Sequence, residues 1–455
     1  MLTSRAALLA MVALSMACAV ACRRSLRSVM RLTGVGPPRR PVIVIAGPTG
    51  VGKSDVAMQL AARLGGEIIS VDSVQVYRSL DVGSNKPSAA EMRRVRHHLV
   101  SVREPSEPYA AGNFYRDAAD AIADVHARGR WAICVGGTSM YMHWLINGTP
   151  TAPKADPALA AQVAARLAPL REAHAWDDAI ALLRASDPER AAALGRNDWY
   201  RLMRALTIAA QTSTPLAELR RDEGREQLHE LYDLRAFFLV APREQLARRI
   251  DARCERMLAD GLLRETSALL ASGELHPDSQ PGRAVGYRQA VDYLIRTDAR
   301  DADGDAFLAF ARAFTQASRA YAAQQMKWFR KEPAFEWLEI SAPTDVAAAA
   351  TQVELLCALS GEADAARRAS ATFADEQALA HRRNLEQGKA MKQYVASLPA
   401  LDEQPALLAQ LVAEADACRA DLARCGRLAE LQAARQQSAQ DPKPGSGVTA
   451  ERLEA

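Results

Sequence analysis

From residue 41 onward the hydrophobic and polar positions fall into two alternating rhythms. Short apolar runs at 41–47 (PVIVIAG), 66–73 (GEIISVDS) and 131–137 (WAICVGG) have the length and β-branched content of buried strands. Between and after them, residues 55–64, 113–128 and 138–146 repeat apolar positions at three-four spacing, which predicts helices. Strand and helix in alternation predict an α/β fold with a parallel sheet wrapped by helices. Pro150, Pro153 and Pro157 then open an Ala/Leu/Arg-rich segment, read as a helical insertion over about residues 150–225, after which Leu234 to Val240 returns as a strand. Pro242 is expected to begin a long helix through Leu263. A second helix is expected from Ala306 to Phe329, and the strand-like run Ala334 to Leu338 closes a domain spanning 41–340.

Residues 345–455 read as a helical extension. Leu408, Leu411, Ala415, Cys418, Leu422, Cys425 and Ala429 recur at three-four spacing, and Pro399 and Pro405 interrupt the pattern upstream. The expected structure is a helical hairpin or short coiled coil packed on itself or on a second copy, with a disordered end from Gln437. At the other terminus, residues 1–40 hold an apolar run, Ala6 to Ala21, followed by six arginines, and no acidic residue precedes Asp55. Three readings stay open: an exported or lipidated leader, an Arg-rich transit peptide, or a mis-assigned start with Met30 as the true one.

Composition narrows this picture only a little. A chain of 455 residues has room for two or three domains, and a net charge of +3 from 57 basic and 54 acidic residues is too small to imply a polyanion partner by itself. Any such site must be a local patch. The seven cysteines are dispersed, without the spacing of a zinc finger or a disulfide framework. After the leader no apolar run approaches bilayer-spanning length, so no membrane association is expected of the domain spanning 41–340.

The candidate chemistry lies where strands end. Gly47, Pro48, Thr49, Gly50, Val51, Gly52, Lys53 and Ser54 form GPTGVGKS between the first strand and the first helix. Such a loop turns backbone N–H groups and a helix N-terminus toward a di- or triphosphate, with Lys53 as a mobile cation and the Ser54 hydroxyl as a metal ligand. At the end of the second strand, Asp72, followed by Ser73, Val74 and Gln75, stands beside those phosphates, where α/β folds place ligands. At the end of the WAICVGG strand, Thr138 follows two glycines that permit close approach of a ligand.

Taken in order, GPTGVGKS, SVDSVQVY (70–77), NKP (85–87), RHHL (96–99), VGGTSMY (135–141), NDWYRLMRAL (197–206) and GRAVGYRQ (282–289) resemble the tRNA dimethylallyltransferases over roughly residues 41–338. The resemblance implies a nucleoside-kinase-like P-loop fold, dimethylallyl diphosphate and Mg²⁺ as ligands, and transfer of the dimethylallyl group to N6 of the adenine next to the anticodon. It implies that Arg253, the second arginine of a helix similar to the family's R-I-x-x-R, meets the diphosphate, that Asp72 takes the N6 proton, and that Thr138 orients the base. By the same likeness Asp72, Ser73, Val74 and Gln75, then Tyr200, Arg201, Leu202, Met203 and Arg204, then Arg283, Ala284, Val285, Gly286, Tyr287 and Arg288 face the tRNA. Tyr287 is expected to stack on bases, and Arg93, Arg94, Arg96, His97 and His98 to extend the basic surface.

The chain departs from the family pattern where Ala323 and Gln324 replace a usual Lys-Arg, Thr207 a usual glutamate and Ser101 a usual aspartate. Two missing positive charges predict weaker, less salt-dependent RNA binding. A monomeric, cytoplasmic enzyme is expected. The rivals are prenylation of a free adenine nucleotide, an ATP-using small-molecule kinase, and an envelope-anchored scaffold.

Overall fold

The computed structural model describes residues 41–149, 156–212, 227–296, 304–342, 345–391 and 394–440. The leader over 1–40 and the end beyond residue 440 lie outside the described residues.

Six parallel strands form one sheet in the order β3-β2-β4-β1-β5-β6. These are β1 (Val42–Ala46), β2 (Gly66–Val71), β3 (His97–His98), β4 (Trp131–Gly136), β5 (Leu234–Val240) and β6 (Glu336–Glu339). The central strands are buried on both faces, which is why they read as continuous apolar runs instead of alternating ones. Strand β3 spans two residues, too short for any periodicity to reveal. The helices Lys53–Leu64, Ala111–Ala127 and Ser139–Asn147 stand where the three-four pattern put them.

Register is what positions the site. Gly136, the last residue of β4, pairs with Ala46 of β1 on one side and with Val71 of β2 on the other. The three strand ends therefore stand level, and the segments leaving them emerge side by side at the carboxyl edge. A Cβ on Gly136 would stand 1.9 Å from the Val71 carbonyl oxygen, so no larger residue fits there without moving the backbone.

Three expectations change. The long helix from Pro242 through Leu263 is two helices, Arg243–Ala259 and Leu262–Ser272, separated at Gly261, whose φ of 98° leaves the helical region. A further helix, Tyr287–Leu294, follows the glycine loop. The folded core does not stop near Ile340, and the extension does not pack on itself alone. Helix Asp345–Cys357 lies against the P-loop helix Lys53–Leu64, helix Ala371–Ala390 reaches Arg243–Ala259, and Pro405–Arg424 covers Leu262–Ser272. Leu411, Ala415, Cys418 and Leu422 are the face of that last helix that joins the main core. Each buried leucine there contributes about 1.5–3 kcal/mol, so the apolar stripe is satisfied by the main domain itself. Helix Arg427–Gln440 also continues past Gln437.

The insertion has its own core. Helices Pro157–Glu172, Trp176–Arg184, Pro188–Ala193 and Trp199–Thr212 enclose Leu167, Trp176, Ile180, Leu183, Trp199 and Leu202, with the two tryptophan rings edge-to-face at 5.2 Å. Among the described residues no helix is long and apolar enough to cross a membrane.

Candidate active site

The P-loop begins directly after β1. Gly50 and Gly52 hold φ values of 80° and 102°, and Gly52 caps the Lys53–Leu64 helix with no side chain on its first amides. Those amides and the helix dipole face the loop's concavity. Lys53 Nζ donates to the Pro48 carbonyl at 2.9 Å, while Ser54 is exposed at the first turn. Arg253 arrives from the Arg243–Ala259 helix and donates from Nη1 to Thr49 Oγ1 at 2.7 Å. Two cations thus meet at one loop. Burial, then the Arg253 charge, pulls Lys53 down to about 7 against a partial opposing pull from Asp72, and burial also lowers Arg253.

Asp72 and Thr138 close the other side. Asp72 Oδ1 accepts from Val74 N at 2.8 Å and Gln75 N at 3.1 Å, which fixes the turn after β2. Thr138 Oγ1 accepts from Ser73 N at 3.1 Å, joining the loop after β4 to the residue beside Asp72. The Asp72 charge is felt by Lys53, Arg253 and Tyr321, and Tyr321 hydrogen-bonds with Thr138, so the four candidate chemical residues named from the sequence are linked in one neighbourhood.

Two residues that hold this arrangement escaped sequence reading. Gln325 is buried, accepts from Thr49 N at 2.9 Å and donates from Nε2 to the Gly137 carbonyl at 2.8 Å, so one amide ties the phosphate loop to the Thr138 loop. Tyr321, on the same helix, hydrogen-bonds with Gln325 and Thr138, and burial raises its phenol. Their stretch drew attention only for the missing charges at Ala323 and Gln324. Glu265 is a third omission: it accepts the backbone N–H groups of Asp81 at 2.7 Å, Val82 at 2.8 Å and Gly83 at 3.2 Å, and the Tyr287 hydroxyl at 2.6 Å. Nothing local in the sequence marks a glutamate that serves a loop 182–184 positions away.

The expected RNA-facing residues divide. Tyr200 is 55% exposed and Arg283 is exposed, while Arg204, Met203, Ala284 and Val285 are half-buried. Arg201 is half-buried with its guanidinium 3.4 Å from Asp198, and Arg288 faces Asp292 at 3.9 Å. Gln75 donates to the carbonyls of Ser84 and Asn85, which anchors the NKP loop. Three residues cannot act as expected. Leu202 lies at 0% exposure in the insertion core. Tyr287, also at 0%, is inside the main core under Gly83 and is no stacking platform. Gly286 is buried against Phe314 with φ 98°, so its small size serves the fold there. The basic surface also shrinks, because His98, Arg96, Arg128 and Arg130 surround the buried Glu67 near the amino end of β2, away from the site edge.

A parallel sheet with a P-loop after β1 and the Thr138 loop level with it defines the class, a nucleoside-kinase-like P-loop α/β fold. The family model described as IPP transferase matches residues 75–332. The chain belongs to that family. It is 43% identical over 339 residues to tRNA dimethylallyltransferase 9 of Arabidopsis thaliana, covering 68% of this chain and 73% of the relative. It is also 43% identical over 290 residues to the tRNA dimethylallyltransferase of Halorhodospira halophila, covering 64% and 90%. Among solved structures, a eukaryotic dimethylallyltransferase acting on tRNA is 26% identical with a TM-score of 0.58, over 70% of this chain and 78% of that one.

Proposed function

We propose that this protein is a tRNA dimethylallyltransferase that moves a dimethylallyl group from its diphosphate to the exocyclic N6 of the adenine beside the anticodon. One observation supports the reading: a half-buried loop carrying Lys53 and met by Arg253 is tied by Gln325 to the Thr138 loop, and Thr138 in turn holds the residue beside the Asp72 carboxylate. The P-loop amides, Lys53 and Arg253 stabilise the negative charge that builds on the diphosphate as its bond to C1 breaks. Asp72 receives the proton that N6 must lose as the new N6–C1 bond forms. Thr138 and Tyr321 orient the base, so that positioning supplies part of the rate. Pyrophosphate leaves with the electrons of the broken C–O bond.

Ser54 offers a hard oxygen donor of the kind that holds Mg²⁺ together with diphosphate oxygens and water, and no cage of three or more His, Cys, Asp or Glu side chains exists among the described residues. When bound, the ion would add Lewis-acid stabilisation of the leaving diphosphate. Tyr200 and Arg283 are the exposed side chains suited to stack on bases and to meet phosphates, and the enzyme is proposed to act as a cytoplasmic monomer.

The test gives the full chain labelled dimethylallyl diphosphate with an anticodon stem-loop, AMP or ATP as separate acceptors. Label in the stem-loop adenine supports the reading. Label in AMP alone would move the enzyme to free nucleotides, consistent with the uncharged Ala323 and Gln324, and transfer of ATP's terminal phosphoryl group would overturn it.

A further inference from the structure

The helix Arg243–Ala259 carries functional groups on two opposite faces. Asp251 and Glu255 are four residues apart and share one face, while Arg253, between them, projects from the other. Arg253 reaches the phosphate loop, whereas Asp251 and Glu255 are buried on the side covered by the C-terminal extension.

The extension holds this rear face at three heights. At the start of the helix Arg243 donates from its backbone N–H to Gln387 Oε1 at 3.2 Å and from Nη2 to Asn384 Oδ1 at 2.9 Å. In the middle the Tyr394 hydroxyl donates to Asp251 Oδ2 at 2.9 Å. Arg319 pairs with the other oxygen of Asp251, and its guanidinium lies 5.4 Å from the Tyr394 ring centre. Nearer the end, Leu401 N donates to Glu255 Oε1 at 3.1 Å. Burial first, then Asp251, pushes the Tyr394 phenol up to about 12, so it remains a donor at every physiological pH. All four gripping residues follow residue 332, where the match to the family model ends.

We propose that Tyr394, with Asn384, Gln387 and Leu401, forms a brace that fixes the Arg243–Ala259 helix along its axis and thereby keeps Arg253 in place for the diphosphate. A helix advances about 1.5 Å per residue, so a slip of even one residue would break the Arg253–Thr49 contact. These are positioning residues; none touches the reacting atoms. The proposal rests on the reading of Arg253 as the diphosphate contact, and the experiment separates the two.

Steady-state kinetics with the anticodon stem-loop are measured on full-length wild type, Tyr394→Phe, Arg253→Ala and the double variant, with thermal melts alongside. Tyr394→Phe removes one hydroxyl and keeps the ring, and should raise KM for dimethylallyl diphosphate about three- to tenfold, less than the full worth of a hydrogen bond to a charged group because the loss reaches the diphosphate only through Arg253. KM for RNA should stay unchanged, and the double variant should be no worse than Arg253→Ala. Gln387→Ala, at a separate grip, should shift the same parameter in the same direction. A normal diphosphate KM in Tyr394→Phe beside a defective Arg253→Ala overturns the brace alone. An equal penalty in both backgrounds overturns it as well, because Tyr394 would then act on stability and not through Arg253. A normal Arg253→Ala overturns the arginine's role and the brace with it.

Discussion

The sheet edge and the helical insertion solve different problems with different materials. At the edge, each chemical side chain leaves a buried strand or is tied to one: Asp72 follows β2, Thr138 follows β4, the phosphate loop follows β1, and Gln325 joins two of these loops. The insertion encloses a small core of its own and displays Tyr200 from its surface. Under the proposed function, bond-making geometry belongs to the buried sheet edge, while acceptor capture belongs to a lobe with a core of its own.

The largest effect expected at the edge is that of Asp72→Asn. The amide oxygen can still accept from Val74 and Gln75 and keep the turn, so the fold should hold while kcat falls by about 10²- to 10⁴-fold, as expected for loss of a general base. Pyrophosphate affinity should be nearly unaffected, and an unchanged kcat would remove Asp72 from the chemistry. Next comes Leu202→Ala, which opens a cavity in the insertion core and should lower its local stability by about 2–5 kcal/mol. Hydrogen exchange would register this as lost protection over helices Trp176–Arg184 and Trp199–Thr212 with β1, β2 and β4 unchanged; parallel loss in the strands would show that the two regions are one cooperative unit. Tyr200→Ala should be milder, raising KM for the stem-loop by about 1–3 kcal/mol of lost stacking and leaving the diphosphate KM alone. If it lowered kcat instead, the division of labour would be wrong.

The smallest signal concerns Lys53. Its pKa is lowered from 10.5 to about 7 in the folded protein, so between those values the unfolded chain binds more protons and the stability of the ligand-free enzyme rises with pH. A bound diphosphate favours the ammonium form, so binding at pH 8 should take up a fraction of a proton. Calorimetry in buffers of different ionisation heat measures this, and Lys53→Arg should abolish it. Binding without proton uptake would mean that the lysine is already charged in the empty site.

Strands β1, β2, β4, β5 and β6 were legible because strands buried on both faces leave uninterrupted apolar runs, and the phosphate loop because its glycines and lysine fall at fixed spacing between strand and helix. Asp72 and Thr138 were legible as residues at strand ends. What the sequence withheld was pairing at long range. Gln325 meets Thr49 across 276 positions, and nothing near either residue announces the other. Tyr287 and Leu202 were misjudged for a related reason: a motif fixes residue identity, and burial is decided by partners such as Gly83 or Trp176 that lie elsewhere in the chain. The apolar stripe from Leu411 to Leu422 was seen, but its partner was not, because a stripe specifies only that something must cover it.

Because a single strand, β4, stands between β1 and β2, the strand ends that lead into the phosphate loop and into Asp72 stand two interstrand spacings apart, roughly 10 Å at 4.7–4.9 Å each. In the proposed reaction the backbone ladder is therefore a ruler between the donor's loop and the proposed base, graduated in hydrogen bonds. No side-chain exchange can recalibrate it, so new acceptors are open to this scaffold through its peripheral lobes, while the span available to the alkyl donor is inherited unchanged.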